Sequence, residues 1–160
     1  MKARLATIDD TDAIARIYNQ GIEDRVATFE TQLRTADDMA QWFSGEYAVV
    51  VVENDGAVVA FAATFPYRSR ECYSGVREFS VYVDRDQRGR GAGRLAMEAL
   101  ITTSRKRGHW KLLSRVFPEN TQSLKLLYSI GFREVGFYKK HGQLDGEWRD
   151  VVIVEYLIDS

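Results

Sequence analysis

The chain has 160 residues, 45% of them apolar and 28% charged, with a formal net charge of −1. That length suits one domain spanning residues 1–160, which buries roughly two-thirds of the surface its unfolded chain exposes. The near-neutral balance argues against nucleic acid as the main partner, because surfaces that track phosphates carry a clear basic excess. A single cysteine, Cys72, excludes an internal disulfide and fits a cytoplasmic location. No apolar run approaches the length of a membrane span, and Met1-Lys-Ala-Arg-Leu5 lacks the apolar core of a signal peptide.

In chain order, Lys2 to Thr7 reads as a first strand. Asp9 to Asp12 offers N-caps for a helix that carries Ile14, Ile17 and Tyr18 at helical spacing. Thr35-Ala-Asp-Asp38 caps a second, short helix with Met39, Trp42 and Phe43. Tyr47 to Glu53 is a β-branched run, Asn54-Asp-Gly56 a turn signal, and Ala57 to Phe65 the returning strand. Gly75 to Val83 follows as a strand, with Arg77, Phe79, Val81 and Val83 on one face and Glu78, Ser80 and Tyr82 on the other. A helix then runs to about Lys106, stopped by Gly108. Lys111 to Phe117 is a strand, and Glu119 or Asn120 opens a helix through Ile130 that Gly131 ends. Phe132 to Lys139 and Trp148 to Leu157 are the last strands. The reading is a single α/β domain.

The strand ending at Val83 runs into Asp84-Arg-Asp-Gln-Arg-Gly-Arg-Gly-Ala-Gly-Arg94, which opens the long helix. Such a turn is suited to a pyrophosphate. Glycines permit positive φ and close backbone approach, and the N–H groups of the first helical turn point at an anion. Arg88, Arg90 and Arg94 add fixed positive charge. Gly89-x-Gly91-x-Gly93 breaks the dinucleotide fingerprint at its last interval, and no Lys-Ser/Thr follows to make a P-loop.

What fits is Arg88-x-x-Gly91-x-Gly93, which resembles the pyrophosphate turn of the GNAT family of acyl-coenzyme-A-dependent N-acetyltransferases. The resemblance implies the GNAT fold, a mixed, mostly antiparallel seven-stranded sheet flanked by about four helices. It implies acetyl-CoA as co-substrate, with no metal, and backbone contacts from Arg88, Gly89, Arg90, Gly91, Ala92, Gly93 and Arg94. The backbone of Val81, Tyr82 and Val83 would face the pantetheine and thioester, while Asn120 and Ser123 match positions that contact the cofactor. Asn120 serves equally as an N-cap.

Transfer of acetyl to an amine needs a base, hydrogen-bond donors for the developing oxyanion, and an acid for the thiolate. Glu78 is the candidate base, with a structural pairing to Arg77 or Arg70 as its plainer role. Tyr128 is the candidate acid, because Leu127-Tyr-Ser-Ile-Gly-Phe132 resembles the family's (Leu/Phe)-Tyr-x-x-x-Gly-Phe segment; packing beside Leu124 is the alternative. His109 reads as a surface residue after a helix, and His141 as a loop residue with a possible place on the substrate side. No Cys/His/carboxylate spacing suggests a metal, and direct transfer gives Cys72 no role as nucleophile.

Further segments resemble the phosphinothricin and arsinothricin N-acetyltransferase branch, including relatives that act on methionine sulfone and sulfoximine. They are Ile17 to Thr31, Pro66 to Val83, and Gly136-Phe-Tyr-Lys-Lys-His-Gly142 with Trp148-Arg-Asp-Val151. The implied acceptor is the α-amine of a small amino acid with an oxyanion-bearing head, acetylated in detoxification or resistance. Arg70 and Tyr73 match positions for that head, where a guanidinium fork binds oxyanions; a solvated basic loop is the plain alternative. Phe29 and Glu30 would form one wall of the pocket. Arg77 stands where an uncharged residue is expected, and would widen oxyanion recognition or join a dimer contact. A homodimer through the C-terminal strands is expected from the branch. Competing readings are a protein N-terminal or lysine acetyltransferase and a non-catalytic acyl-CoA-binding module.

Overall fold

The computed structural model describes residues 1–159. Seven strands form one sheet in the order β1-β2-β3-β4-β5-β7-β6. They are β1 (Lys2–Leu5), β2 (Val49–Asn54), β3 (Ala57–Pro66), β4 (Val76–Val83), β5 (Lys111–Val116), β6 (Arg133–Leu144) and β7 (Glu147–Leu157). The helices are α1 (Thr11–Asp24), α2 (Ala36–Ala40), α3 (Ala92–Lys106) and α4 (Thr121–Ile130). Every strand pair is antiparallel except β4–β5. Among the described residues no helix is long and apolar enough to cross a membrane.

Alternation along the central strands builds two cores. Val50, Val52, Ala60, Ala62 and Phe79 face α3, where Ala96, Met97 and Leu100 recur at helical spacing. Val49, Val51, Phe61 and Ala63 face Ile14, Ile17 and Met39 of α1 and α2. Each fully buried Leu or Ile here contributes about 1.5–3 kcal/mol. Local signals fix the helix starts. Arg4 donates to both oxygens of Asp10 at 2.8 and 2.9 Å just before α1. At α2, the Thr35 amide donates to Asp38 Oδ2 at 2.8 Å while Thr35 Oγ1 accepts from the Asp38 amide at 3.2 Å.

Three sequence expectations need correction. β6 does not stop at Lys139 but continues to Leu144, so His141 lies within a strand and turns over Asp145-Gly146 into β7. A bulge carries it past the polar stretch: Tyr138 opposes Val151 and Gly142 opposes Arg149. His109 is not a surface residue, since only 8% of it is exposed. Arg77 does point away from Glu78, as alternation requires, but into the interior, where its Nη2 meets Glu46 at 3.2 Å.

Candidate active site

The site begins where two parallel strands part. β4 and β5 pair only from Val76–Glu78 to Lys111–Leu113, although β4 runs on to Val83 and β5 to Val116. Ser114 Oγ donates to the Phe79 carbonyl at 3.1 Å at the apex of the opening. On its other edge β4 stays paired with β3 throughout. The Asp84 amide donates to the Val59 carbonyl at 2.8 Å. Backbone groups alternate sides along a strand, so Tyr82, Ser80 and Glu78 address β3. Val81 and Val83 therefore turn their N–H and C=O groups to the opening. Of the three residues expected to offer backbone there, Tyr82 is turned the other way; its side chain lines the cavity instead.

A cavity of about 260 Å³ fills the opening. Glu78, Val81 and Tyr82 of β4 line it, with Phe29 and Glu30 from the loop after α1 and Asn120 and Ser123 from the start of α4. Asn120 Oδ1 accepts from the Ser123 amide at 3.3 Å, so it caps α4 as well as lining the cavity. Sequence reasoning missed Tyr18, Thr28, Ser114, Arg115 and Phe117, which also line it. Arg115 carried a legible signal, since it shares a strand face with Leu113, whose register partner is Glu78. Burial, then the charge of Glu30, pushes the Tyr18 phenol above its ordinary pKa, and burial does the same to Tyr82. Both phenols stay protonated.

Glu78 is held neither by Arg77 nor by Arg70. Arg115 Nη1 donates to its Oε1 at 2.7 Å, and Glu78 lines the cavity beside it. Arg115 also lines an adjoining cavity of about 570 Å³ with Tyr67, Arg68, Lys111, Tyr138 and His141. There Lys111 and then Arg133 hold the Glu155 carboxyl below its usual range.

Other expected residues lie apart. Tyr128 is 41% exposed on the outer side of α4 and is not brought to the cavity. The reason is spacing: only Ser129 and Ile130 separate Tyr128 from Gly131, whereas the segment it resembles has three residues between. The position with three intervening residues is Leu127, which is buried and lines the cavity. Burial, then Glu134, raises the Tyr128 phenol's pKa. Arg70 and Tyr73 are exposed on a single-turn helix, where Tyr73 packs edge-on against Tyr67 at 5.7 Å. Neither they nor buried Arg77 line the cavity.

The glycine turn sits at the far end of β4. Asp84 anchors its start, accepting from Arg16 Nη1 at 2.7 Å and from the Asp86 amide at 3.1 Å. Burial works against ionising Asp84, yet these donors hold its carboxyl below the usual range. Gly89 and Gly91 take φ of 79° and 89°, and Gly91 is the N-cap of α3. An added Cβ would meet nothing within 4 Å at either, so the backbone angle rather than space demands glycine. The first-turn amides of Ala92, Gly93 and Arg94 have no helical acceptor of their own. Of the nearby arginines, Arg88 donates to Asp24, Arg90 to Gln87 and Arg94 to Ser129, all exposed contacts. An exposed β4 edge leading to free helix amides and exposed cations is chemically fitted to a pantetheine arm ending in a pyrophosphate.

Comparison with known proteins agrees with this geometry. The model of the acetyltransferase (GNAT) family matches residues 14–132. An L-methionine sulfoximine/L-methionine sulfone acetyltransferase of Pseudomonas aeruginosa is 31% identical, over 98% of this chain and 94% of that protein. A ribosomal-protein-alanine N-acetyltransferase from Brucella melitensis superposes with a TM-score of 0.93 at 32% identity, covering 98% of this chain and 99% of that one. A phosphinothricin acetyltransferase from Sinorhizobium meliloti, solved in complex with acetyl-CoA, gives 0.90 at 26% identity, covering 98% and 88%. The chain belongs to the GNAT acetyltransferase family, and is an N-acetyltransferase.

Proposed function

We propose that this enzyme moves acetyl from acetyl-CoA to the α-amine of a small amino acid carrying an oxyanion or sulfone-type head, in a detoxifying reaction in the cytoplasm. The observation that carries the reading is Glu78, a carboxylate with one oxygen tied to Arg115, beside the open edge of β4. Glu78 takes the amine's proton, directly or through one water, as the nitrogen attacks the thioester carbonyl in a ternary complex. The C–S bond breaks and the thiolate leaves. The amide of Val81 lies on the edge where negative charge develops on the carbonyl oxygen, and a preorganised donor there is worth about 3–4 kcal/mol. With Tyr128 turned outward, the hydroxyl groups that line the cavity are those of Tyr18, Thr28, Ser80, Tyr82, Ser114 and Ser123, of which Ser114 already donates to the Phe79 carbonyl.

The glycine turn and the first amides of α3 hold the pyrophosphate, with Arg88, Arg90 and Arg94 around it. Asn120 and Ser123 contact the pantetheine. On the acceptor side Phe29 and Glu30 form a wall, and Arg115 takes over the oxyanion role first assigned to Arg70 and Tyr73, because its guanidinium reaches the cavity. The relatives named above for methionine sulfoximine and phosphinothricin support this acceptor class. The Brucella structure named for ribosomal-protein alanine supports a second reading, N-terminal acetylation of a protein. A homodimer is part of the proposal: Val135, Phe137, Tyr138 and Trp148 on β6 and β7 are each about half exposed.

Thiol release from acetyl-CoA, measured with phosphinothricin, arsinothricin, methionine sulfone and peptides beginning with alanine, tests the reading. Turnover is expected with the amino acids. Turnover with the peptides alone would move the assignment to the second reading.

A further inference from the structure

Neither main core holds the Phe29 wall of the cavity. Phe29 packs edge-on against Phe117, with centroids 4.8 Å apart and planes at 88°. Phe117 belongs with Leu144 and Val151 to a small third core under the β6–β7 hairpin. Polar ties fasten the same contact. Arg25 Nε meets Asp145 Oδ2 at 3.0 Å, and Arg149 Nη2 donates to the Arg25 carbonyl at 3.0 Å. The Arg149 guanidinium also lies 4.9 Å over the Phe117 ring.

β6 reaches Phe29 through its bulge. Lys139, Lys140 and His141 together oppose Asp150; Lys140 takes φ 49° and its amide donates to Asp150 Oδ1 at 2.8 Å. The next residue is Gly142. A Cβ built there would lie 2.9 Å from Phe29 Cε1 and 3.0 Å from Cζ. The backbone at Gly142 is not left-handed, so only the ring excludes a side chain.

We propose that Gly142 is a specificity-determining position for the acceptor, because it sets how far the Phe29 ring stands into the cavity. The proposal rests on the reading of this cavity as the acceptor site. With only hydrogen at position 142 the ring lies back against the hairpin. A methyl group would drive it off β6 and toward the cavity it lines, narrowing the space beside Glu78. The turn and the β4 edge that hold acetyl-CoA stay as they are.

Steady-state kinetics of Gly142→Ala with methionine sulfone test this. The acceptor KM is expected to rise about tenfold, short of the ~10²-fold that a misplacement of about 1 Å can cost. The acetyl-CoA KM should change by less than about twofold. In a Phe29→Leu background, which removes the two ring atoms the methyl meets, adding Gly142→Ala should change the acceptor KM by less than about twofold. An equal fold-change in both backgrounds, or a parallel rise in the acetyl-CoA KM, would overturn the proposal. If the wild type acetylates no amino acid, the functional reading fails by itself, and ¹³C-labelled ring resonances still report on the wall. Gly142→Ala should shift the Phe29 signals, and unshifted signals would overturn the proposal.

Discussion

Asp24→Asn is expected to tighten the binding of acetyl-CoA. Asp24 is the last residue of α1, and its two oxygens hold two arginines of the turn region. Arg85 Nη2 lies 3.1 Å from Oδ1, and Arg88 Nη2 lies 3.1 Å from Oδ2. Arg88 opens the Arg88-x-x-Gly91-x-Gly93 turn, so its guanidinium must leave Asp24 to reach a pyrophosphate at the start of α3. The Asp24 charge would then remain near the phosphates it competes with. Side-chain exposures of 45% for Arg88 and 28% for Asp24 place the pair among surface ion pairs, worth about 0.2–1 kcal/mol. Asparagine keeps the shape and removes the charge, which corresponds to an acetyl-CoA Kd lower by about 1.4- to 5-fold. Titration calorimetry at low and high salt checks both sign and origin, since screening should shrink the gain. If Asp24→Asn binds acetyl-CoA more weakly, Asp24 pre-positions Arg88 and the competition argument is wrong.

Three more perturbations separate parts of the account. Burial, followed by the charges of Arg77 and Arg107, lowers the His109 pKa from 6.5 to about 4. Between those values the unfolded chain holds a proton the folded chain does not, so stability falls as pH drops through that window, by about 1–3 kcal/mol. Urea melts from pH 7 to pH 4 should show the loss, and His109→Gln should flatten it; parallel losses in both would refute the assignment. Tyr128→Phe should leave kcat within about twofold, because the phenol is turned away from the cavity, and a drop of tenfold or more would return it to the reaction. Gly91→Ala meets no neighbour, so its cost is that of φ 89° alone, about 1–2 kcal/mol. It should weaken acetyl-CoA binding several-fold, whereas unchanged affinity would show that the turn does not set the phosphate grip.

The order of elements was legible because each carries a local signal: β-branched alternation through Val49–Val52, the Thr35–Asp38 capping box, and Gly131 after Ile130. The glycine turn was legible for the same reason, since its φ values demand glycine whatever lies around it. The errors fall where tertiary contacts decide. Lys139-Lys140-His141-Gly142 looks like a loop until Asp150, across the hairpin, binds the Lys140 amide and lets β6 continue through a bulge. His109 follows a helix end and looks exposed, but its amide donates to the Ser104 carbonyl at 3.0 Å, which folds it back inside. Arg70 was named from its match to a family position in an arginine-rich loop, and Arg115 was missed because only the β4–β5 register brings it to Glu78. Tyr128 is the exception: its expected role rested on a motif match that is one residue short before Gly131, and it lies outside the cavity lining.

The central claim is that Glu78 removes the acceptor's proton beside an acetyl-CoA site that does not depend on it. Single-turnover acetyl transfer to methionine sulfone by Glu78→Gln, measured with the acetyl-CoA Kd of the same preparation, addresses it directly. The account predicts a rate lower by about 10²–10⁴-fold, partly recovered at higher pH as free amine accumulates, with a Kd unchanged within about twofold. A rate near that of the wild type, with acetyl-CoA bound equally well, would contradict it.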